Sequence, residues 1–558
     1  MQLIVSSYNK NMKHLFISLV LFLCGATAHA AVGDTFSQNG VTYIVTTDNT
    51  VSIYEVSSEL TECTIEASVT NGDVTYSVTA IDRDAFYWSN VTKITLPNTI
   101  TGIGYGAFRS SPLESITIPS SVKTIGAYAF YKTNITSIEV PEGVTVLENA
   151  TFSQCYSLEN VKLPSTLEKI CQAAFYKSKI AKIEIPAACK QIDAYAFEGC
   201  ANLTEVNMPD AITEFTIGIF QDCEKLEKIN LPEGLTTIKT MAFQGCALPS
   251  IHIPASVTTI EANAFNDVPL ATITLDEKNE TFTIIDGVLY TKDKRFIYLY
   301  PRITDSKKYA IIDGCVAVYG GAFYGCDIKT VTFPQGFLGI DSYGFCYSDL
   351  ETVELPNSIE IIFEQAFAGT KLSQITIPES VTELSDAVLA SCPNLKKVTL
   401  PAGLTDIGNR AFFQSSALET IYCTGAKPAE FNAWETYTNP FYGVDCSKVT
   451  VKCPKESLSE YQASEWSDFG FNIEGIDYSG VNSLTSNDII INAGSNAITI
   501  TLNCEGVTKI ALITLDGKNI YNQISNEKDI TITNLSQGAY ILSIEVNGAH
   551  ITKKVVLN

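Results

Sequence analysis

Residues 116–130 read ITIPSSVKTIGAYAF, and residues 251–265 read IHIPASVTTIEANAF. The two stretches agree at the apolar positions, at the proline and at the closing alanine and phenylalanine. Working outward from them, Pro97, Pro119, Pro141, Pro164, Pro186, Pro209, Pro232 and Pro254 recur every 22 or 23 residues, and the rhythm resumes at Pro334, Pro356, Pro378 and Pro401. A period of this length marks a repeat architecture. Counted from each proline, apolar residues fall at −3, −1, +3, +6, +11 and near +16. For Pro119 these are Ile116, Ile118, Val122, Ile125, Phe130 and Ile135.

Positions −3 and −1 alternate with polar −4 and −2, the period of a strand with one buried face. Proline ends that strand, because it has no N–H to give to a ladder. About six inward side chains at ~2 kcal/mol each do not offset the ordering of some 22 residues at ~1–2 kcal/mol per residue. No unit folds alone, so neighbours must stack and share backbone hydrogen bonds. The extra residue of the longer units lies after the phenylalanine, as in Cys155 to Leu158 against Thr133 to Ile135, in a turn that tolerates it.

The pattern I-x-[IL]-P followed by V-x-x-I-x-x-x-A-F resembles the BspA-like leucine-rich repeats of bacterial surface proteins. Fourteen units are read, with their phenylalanine phase at Phe86, Phe108, Phe130, Phe152, Phe175, Phe197, Phe220, Phe243, Phe265, Phe323, Phe345, Phe367, Leu389 and Phe412. The resemblance implies an α/β repeat solenoid, a right-handed leucine-rich-repeat coil with a parallel β-sheet. A small all-β sandwich follows at the C-terminus.

The expected organisation is a signal peptide over 1–30, an N-terminal β cap over 31–76, repeats over 77–418, a C-terminal cap over 419–476, a linker over 477–483 and a β-sandwich over 484–558. A β-hairpin insertion over 276–309 interrupts the repeats, its strands turning at Asp286-Gly287 and between Lys292 and Arg295. Leu458, Tyr461, Trp466 and Phe469 lie on a short helix of the C-terminal cap. LDGKNIYNQ, GAYILSIEVNG and KKVVL in the last segment resemble the C-terminal sorting domain of the type IX secretion route, with turns at Asp516-Gly517 and Gln537-Gly538.

Lys10 and Lys13, the apolar run from Leu15 to Gly25 and Ala28-His29-Ala30 have the order of a secretory leader. Its apolar run is too short to span a bilayer, and no other run approaches the roughly twenty residues required. Leu23 before Cys24 argues against a lipid anchor. The formal net charge is −24 and becomes more negative once the leader is removed. Such a chain repels nucleic acid and anionic lipid. The expected location is therefore secreted or on the outer surface of a Gram-negative bacterium, with secretion machinery as a partner of the C-terminal domain.

One of the 16 cysteines lies in the leader, leaving an odd number for an oxidising compartment. Cys155, Cys200, Cys223, Cys246 and Cys326 stand three residues after the phenylalanine. Three of them occupy successive units, within disulfide reach if the units stack. Ser111 and Thr133 fill the same slot elsewhere, so the expectation is a column of small buried thiols.

Only His252 and His550 remain outside the leader for histidine-based catalysis. There is no phosphate-binding glycine loop, no H-E-x-x-H, no C-x-x-C and no calcium-loop spacing, and the expectation is no enzyme, no metal and no cofactor. What remains is surface. Stacked strands align position −2 into a polar column: Thr95, Thr117, Glu139, Lys162, Glu184, Asn207, Asn230, His252, Thr274, Thr332, Glu354, Thr376 and Thr399. Part of this column is accounted for by mutual pairing across strands.

A second candidate patch is Phe296, Tyr298 and Tyr300 in the insertion, with Lys292, Lys294, Arg295, Lys307 and Lys308 nearby. The resemblance implies adhesion to extracellular-matrix proteins. The expected function is an adhesin-like surface protein engaging host or microbial proteins or glycans, the alternative being a structural envelope spacer without an external ligand.

Overall fold

The computed structural model describes residues 30–302, 304–431, 438–478, 489–494, 496–502, 508–514, 518–525, 527–546 and 549–557. The leader up to His29, most of the linker and the Asp516-Gly517 turn lie outside the described residues, as do the side chains of residues 549–552, His550 among them. The chain divides into two compact units, Met1–Leu235 and Thr236–Asn558.

In the N-terminal unit each coil is built from three backbone ladders. The first is the expected strand before the proline. Ser137–Glu139 pairs in parallel with Asn160–Lys162, and Lys182–Glu184 pairs with Glu205–Asn207 and onward to Lys228–Asn230. The second is a shorter parallel strand after the proline, as in Val146–Leu147, Lys169–Ile170 and Gln191–Ile192, which carries the +6 residue inward.

The third ladder runs through the turn that holds the phenylalanine. The N–H groups of Tyr128, Phe130 and Lys132 donate to the carbonyls of Asn149, Thr151 and Ser153 one coil on, at 2.9, 2.9 and 3.0 Å. The alternate N–H groups, those of Tyr131 and Thr133, fold back onto carbonyls three residues earlier. Tyr128 and Lys132 reach this geometry with φ of 60° and 58°. Left-handed backbone at a non-glycine residue costs on the order of 1 kcal/mol, and the inter-coil hydrogen bonds it aligns offset that cost.

Phe86, Phe108, Phe130, Phe152, Phe175 and Phe197 are fully buried and stack ring on ring, with centroids 4.8–5.6 Å apart. At the start of this unit Thr35–Gln38, Val41–Thr47 and Thr50–Val56 form an antiparallel meander. Its last strand pairs in parallel with Val74–Ile81, which leads into the second ladder at Gly102–Ile103.

The C-terminal unit repeats the coil and adds three variations. Between the repeats, Phe282–Ile285, Val288–Thr291 and Phe296–Leu299 form a three-stranded antiparallel meander whose last strand joins Ala317–Val318 in parallel. The insertion is thus continuous with the second ladder, and Val288 and Ile297 belong to the solenoid core.

After the repeats, Thr420–Cys423, Thr450–Pro454 and Asn472–Ile476 prolong the first ladder. Tyr461 and Trp466 lie buried beneath this end of the sheet, the tyrosine hydroxyl donating to Gly425 O at 3.0 Å and the indole N–H to Ala429 O at 2.9 Å. Leu458–Gln462 is the one α-helix among the described residues, followed by a 3-10 turn over Glu465–Phe469. The return side of the coils is turn throughout.

The last region is entirely antiparallel. Ile489–Ala493, Ile498–Leu502 and Asp529–Ile532 form one sheet. Asn519–Ser525, Thr508–Thr514, Gly538–Val546 and Ala549–Leu557 form the other. Ile500, Leu512, Leu542 and Ile544 make a core of their own, distinct from that of the repeats. The stacked-coil solenoid and the all-β C-terminal module are the architecture expected from the sequence.

Candidate binding surface

Because side chains alternate across a strand, residues at position −2 leave the first ladder on its outer face. In the N-terminal unit Thr95, Thr117, Glu139, Lys162, Glu184, Asn207 and Asn230 are all exposed. In the C-terminal unit so are His252, Thr274, Thr332, Glu354 and Thr376, whereas Thr399 is half-buried. Much of this column answers to itself. Lys162 Nζ donates to Glu139 Oε1 at 2.6 Å, and His252 Nδ1 lies 3.0 Å from Thr274 Oγ1. Asn230 Oδ1 accepts from the backbone N–H of Met208 at 3.0 Å. Past Thr399 the register continues to Tyr422, Lys452 and Glu474; no proline stands two residues after Tyr422 or Glu474, and Pro454, two residues after Lys452, falls outside the 22- or 23-residue rhythm.

The insertion patch requires correction at Tyr300. That side chain is buried and stacks on Phe323 at 4.7 Å, and its N–H donates to Ala322 O at 2.9 Å. It therefore takes the place of the repeat phenylalanine in its coil and faces no ligand. Its spacing to Phe323 was the signal that could have shown this. Tyr298 is half-buried and stacks on Tyr319 at 4.3 Å, burial pushing its phenol up to about 12. Phe296 is half-buried beside Arg295. Two of the nearby lysines have internal partners: Lys307 pairs with Asp327, and Lys292 Nζ donates to Asn279 O at 2.9 Å.

A further surface escaped the sequence reading. In the N-terminal unit the turn carrying the phenylalanine presents Tyr87, Trp88, Tyr131, Tyr156 and Tyr176 outward, with Trp88 71% and Tyr156 60% exposed. Cations lie over these rings and their neighbours: Arg83 is 4.5 Å from the Tyr105 centroid, Lys132 is 5.2 Å from Tyr131 and Lys177 is 5.0 Å from Tyr176. The repeated tripeptide Phe-Tyr-Lys at 130–132 and 175–177 was the available signal. The tyrosine and lysine follow the core phenylalanine in only some coils, so they add no period of their own.

The cysteine column is a column of thiols. No described cysteine is in a disulfide, and all but Cys446 are buried. Cys155 Sγ donates to Phe130 O at 3.0 Å and Cys200 Sγ to Phe175 O at 3.2 Å, while Ser178 Oγ in the same slot donates to Phe152 O at 3.0 Å. The small residue thus gives the phenylalanine carbonyl of the preceding coil a second donor beside the N–H three residues on. Burial pushes the Cys155 thiol up to about 11 and that of Cys200 to about 12, far from the thiolate a nucleophile needs. Among the described residues no three histidine, cysteine or acidic side chains are grouped to hold a metal ion, and no helix is long and apolar enough to cross a membrane.

Comparison with known proteins agrees with this anatomy. A family model described as the BspA type leucine rich repeat region matches residues 79–204, 190–315 and 316–433, and one described as the secretion system C-terminal sorting domain matches 492–558. No curated protein matches the chain. Among solved structures, a leucine-rich cell surface protein from Faecalibacterium prausnitzii A2-165 is 26% identical, covering 80% of this chain and 95% of its own, with a TM-score of 0.43. A leucine-rich repeat protein from Bacteroides ovatus ATCC 8483 is 24% identical, covering 72% of this chain and 100% of its own, also at 0.43. The pneumococcal vaccine antigen PcpA is 21% identical, covering 80% and 98%, at 0.40.

The sorting domain implies recognition by secretion machinery and a secreted or cell-surface destination. With its repeat model matched over most of the coils described above, the chain belongs to the BspA-type leucine-rich repeat family.

Proposed function

We propose that the protein is an adhesin-like binding scaffold on the outer surface of a Gram-negative bacterium, engaging host or microbial proteins or glycans across the outer faces of its repeats. The observation that carries this reading is the recurrence, coil after coil, of outward side chains with no part in the core: the position −2 column in both units, and Trp88 and Tyr156 on the turn face. Repetition turns weak single contacts into an extended surface. We read the chain as non-catalytic, since its buried thiols are held protonated and His252 serves a ladder contact.

The test is to present residues 31–558 to immobilised matrix proteins and a glycan array. Saturable binding to at least one class is expected, and none to any would sink the proposal. The envelope-spacer reading draws on the ion pairs Lys162–Glu139, Lys228–Glu205 and Lys329–Glu351, which serve the stack itself. It predicts that deleting the repeats disturbs surface organisation while adhesion to external material is unchanged.

A further inference from the structure

We infer that the turn face of the N-terminal repeats binds a linear acidic glycan carrying one anionic group at every second sugar. This rests on the binding reading above and gives it a ligand chemistry and a face other than the sheet.

Folding does not account for the residues on this face. Trp88 has a left-handed φ of 56°, and its ring meets Tyr87 edge-on at 6.1 Å, leaving the indole largely in water. The equivalent positions of later coils hold Ser110, Gln154 and Gly199, so the coil needs no aromatic there. An exposed, rigid ring is a platform for the apolar C–H face of a sugar.

The cations are equally unaccounted for. Elsewhere on this unit four lysines pair with carboxylates, Lys162 with Glu139, Lys169 with Asp193, Lys179 with Glu159 and Lys228 with Glu205, while Lys123 and Lys225 donate to amide oxygens. Arg83, Lys132 and Lys177 instead lie over tyrosine rings, and among the described residues none of the three is in an ion pair with a carboxylate. A ring beneath a cation restrains it and leaves its outer side open, which lowers the ordering cost of meeting an anion.

Spacing selects the ligand. Arg83 belongs to the coil of Phe86, Lys132 to that of Phe130 and Lys177 to that of Phe175, every second coil. Of the coils between, that of Phe108 carries Arg109 over the Tyr87 ring at 4.2 Å but paired with Asp84 at 3.5 Å, and that of Phe152 carries the uncharged Gln154. The phenylalanine column sets the coil rise at 4.8–5.6 Å, close to the advance of one pyranose in an extended chain. A glycan lying along the stack then places one sugar on each coil and one charge on every second, with Tyr156 against a neutral sugar. Glu198, on the next coil, closes the cationic track, its field reaching Lys177. A nucleic acid carries a charge on every residue and would need more cations than this acidic chain offers. An acidic protein segment has no such fixed repeat.

The test uses the chain from Ala31 to Asn558 and calorimetric titration with hyaluronan oligosaccharides, whose uronate recurs at alternate sugars. Cello-oligosaccharides, oligo(dT) and polyglutamate are the comparison probes. Expected is saturable hyaluronan binding that weakens with added salt and falls roughly tenfold or more in Lys132→Ala/Lys177→Ala and in Trp88→Asn. The control Lys190→Gln, which removes an exposed cation outside both candidate surfaces, should bind as the parent does. Thermal melts of each variant confirm that the coils remain folded. Absence of saturable hyaluronan binding, equal binding of any comparison probe, or undiminished binding by the folded lysine variant overturns the inference. Saturable binding to a matrix protein in that case leaves the broader binding reading standing.

Discussion

Two faces of the same coil in the N-terminal unit follow opposite rules. On the strand before the proline, outward residues largely complete one another: Lys162 meets Glu139, and Asn230 holds the backbone of Met208. On the turn after the proline, the core phenylalanines Phe86, Phe130 and Phe175 are followed directly by a tyrosine whose ring meets a neighbouring ring or cation, and Phe108 by Arg109, which pairs with Asp84. The difference teaches that exposure alone does not mark a binding face in a solenoid. A repeated polar residue lies one coil from its own kind and finds partners there, whereas the cations over Tyr105, Tyr131 and Tyr176 are, among the described residues, in no ion pair with a carboxylate.

The largest effect that can break this contrast lies in the ring column itself. Phe175→Ala removes a fully buried ring stacked on Phe152 and Phe197 at 5.6 and 5.5 Å. It should destabilise by about 3–5 kcal/mol, read as a lowered midpoint in urea. Tyr176→Ala, one residue on, should leave that midpoint nearly unchanged. A comparable loss there would show that the turn-face rings are structural after all.

Close approach between coils comes next. A Cβ at Gly126 would stand 2.6 Å from the backbone N of Tyr105 and 2.7 Å from C of Gly104, atoms that cannot move aside without separating two coils. Gly126→Ala should cost about 1–3 kcal/mol in the same denaturation.

The thiol column offers a finer discrimination. Cys200→Val leaves the Phe175 carbonyl without the S–H it accepts at 3.2 Å and should cost about 1–2 kcal/mol, whereas Cys200→Ser should approach the parent, as Ser178 does in its own coil. With the thiol raised to about 12, Cys200 stays protonated at pH 8, so iodoacetamide should modify it only after unfolding. Rapid labelling of the native chain at Cys200 would contradict its buried, hydrogen-bonded state. The smallest effect is expected on the sheet face. Glu139→Gln or Lys162→Gln breaks an ion pair standing in water, and neither should shift the urea midpoint detectably.

The repeat was largely legible from the chain. Of the residues named for Pro119, Ile118, Val122, Ile125, Phe130 and Ile135 are buried and Ile116 is half-buried, and Leu389 keeps its slot without being aromatic. The candidate site was legible only in part. The position −2 column lies outward as its period requires, but Tyr300 faces the core because the insertion ends by re-entering the coil. The turn-face tyrosines were passed over because a tyrosine after a core phenylalanine has no periodic signature of its own.

By itself the sequence determined the coil length, the residues each coil buries, the proline that closes its first strand and the change to an antiparallel module near Ile489. Each of these is written within one repeat or one short segment, as an alternation of apolar and polar residues that burial in water must respect. The tertiary structure decided the second ladder, the left-handed turns at Tyr128 and Lys132, the partner of each surface lysine and the rings beneath Lys132 and Lys177. Most of these depend on atoms one coil away, 22 or 23 residues along the chain, which only stacking brings within hydrogen-bonding or contact distance. The rings beneath the two lysines are sequence neighbours, and there the structure decided only that each ammonium folds back over its tyrosine.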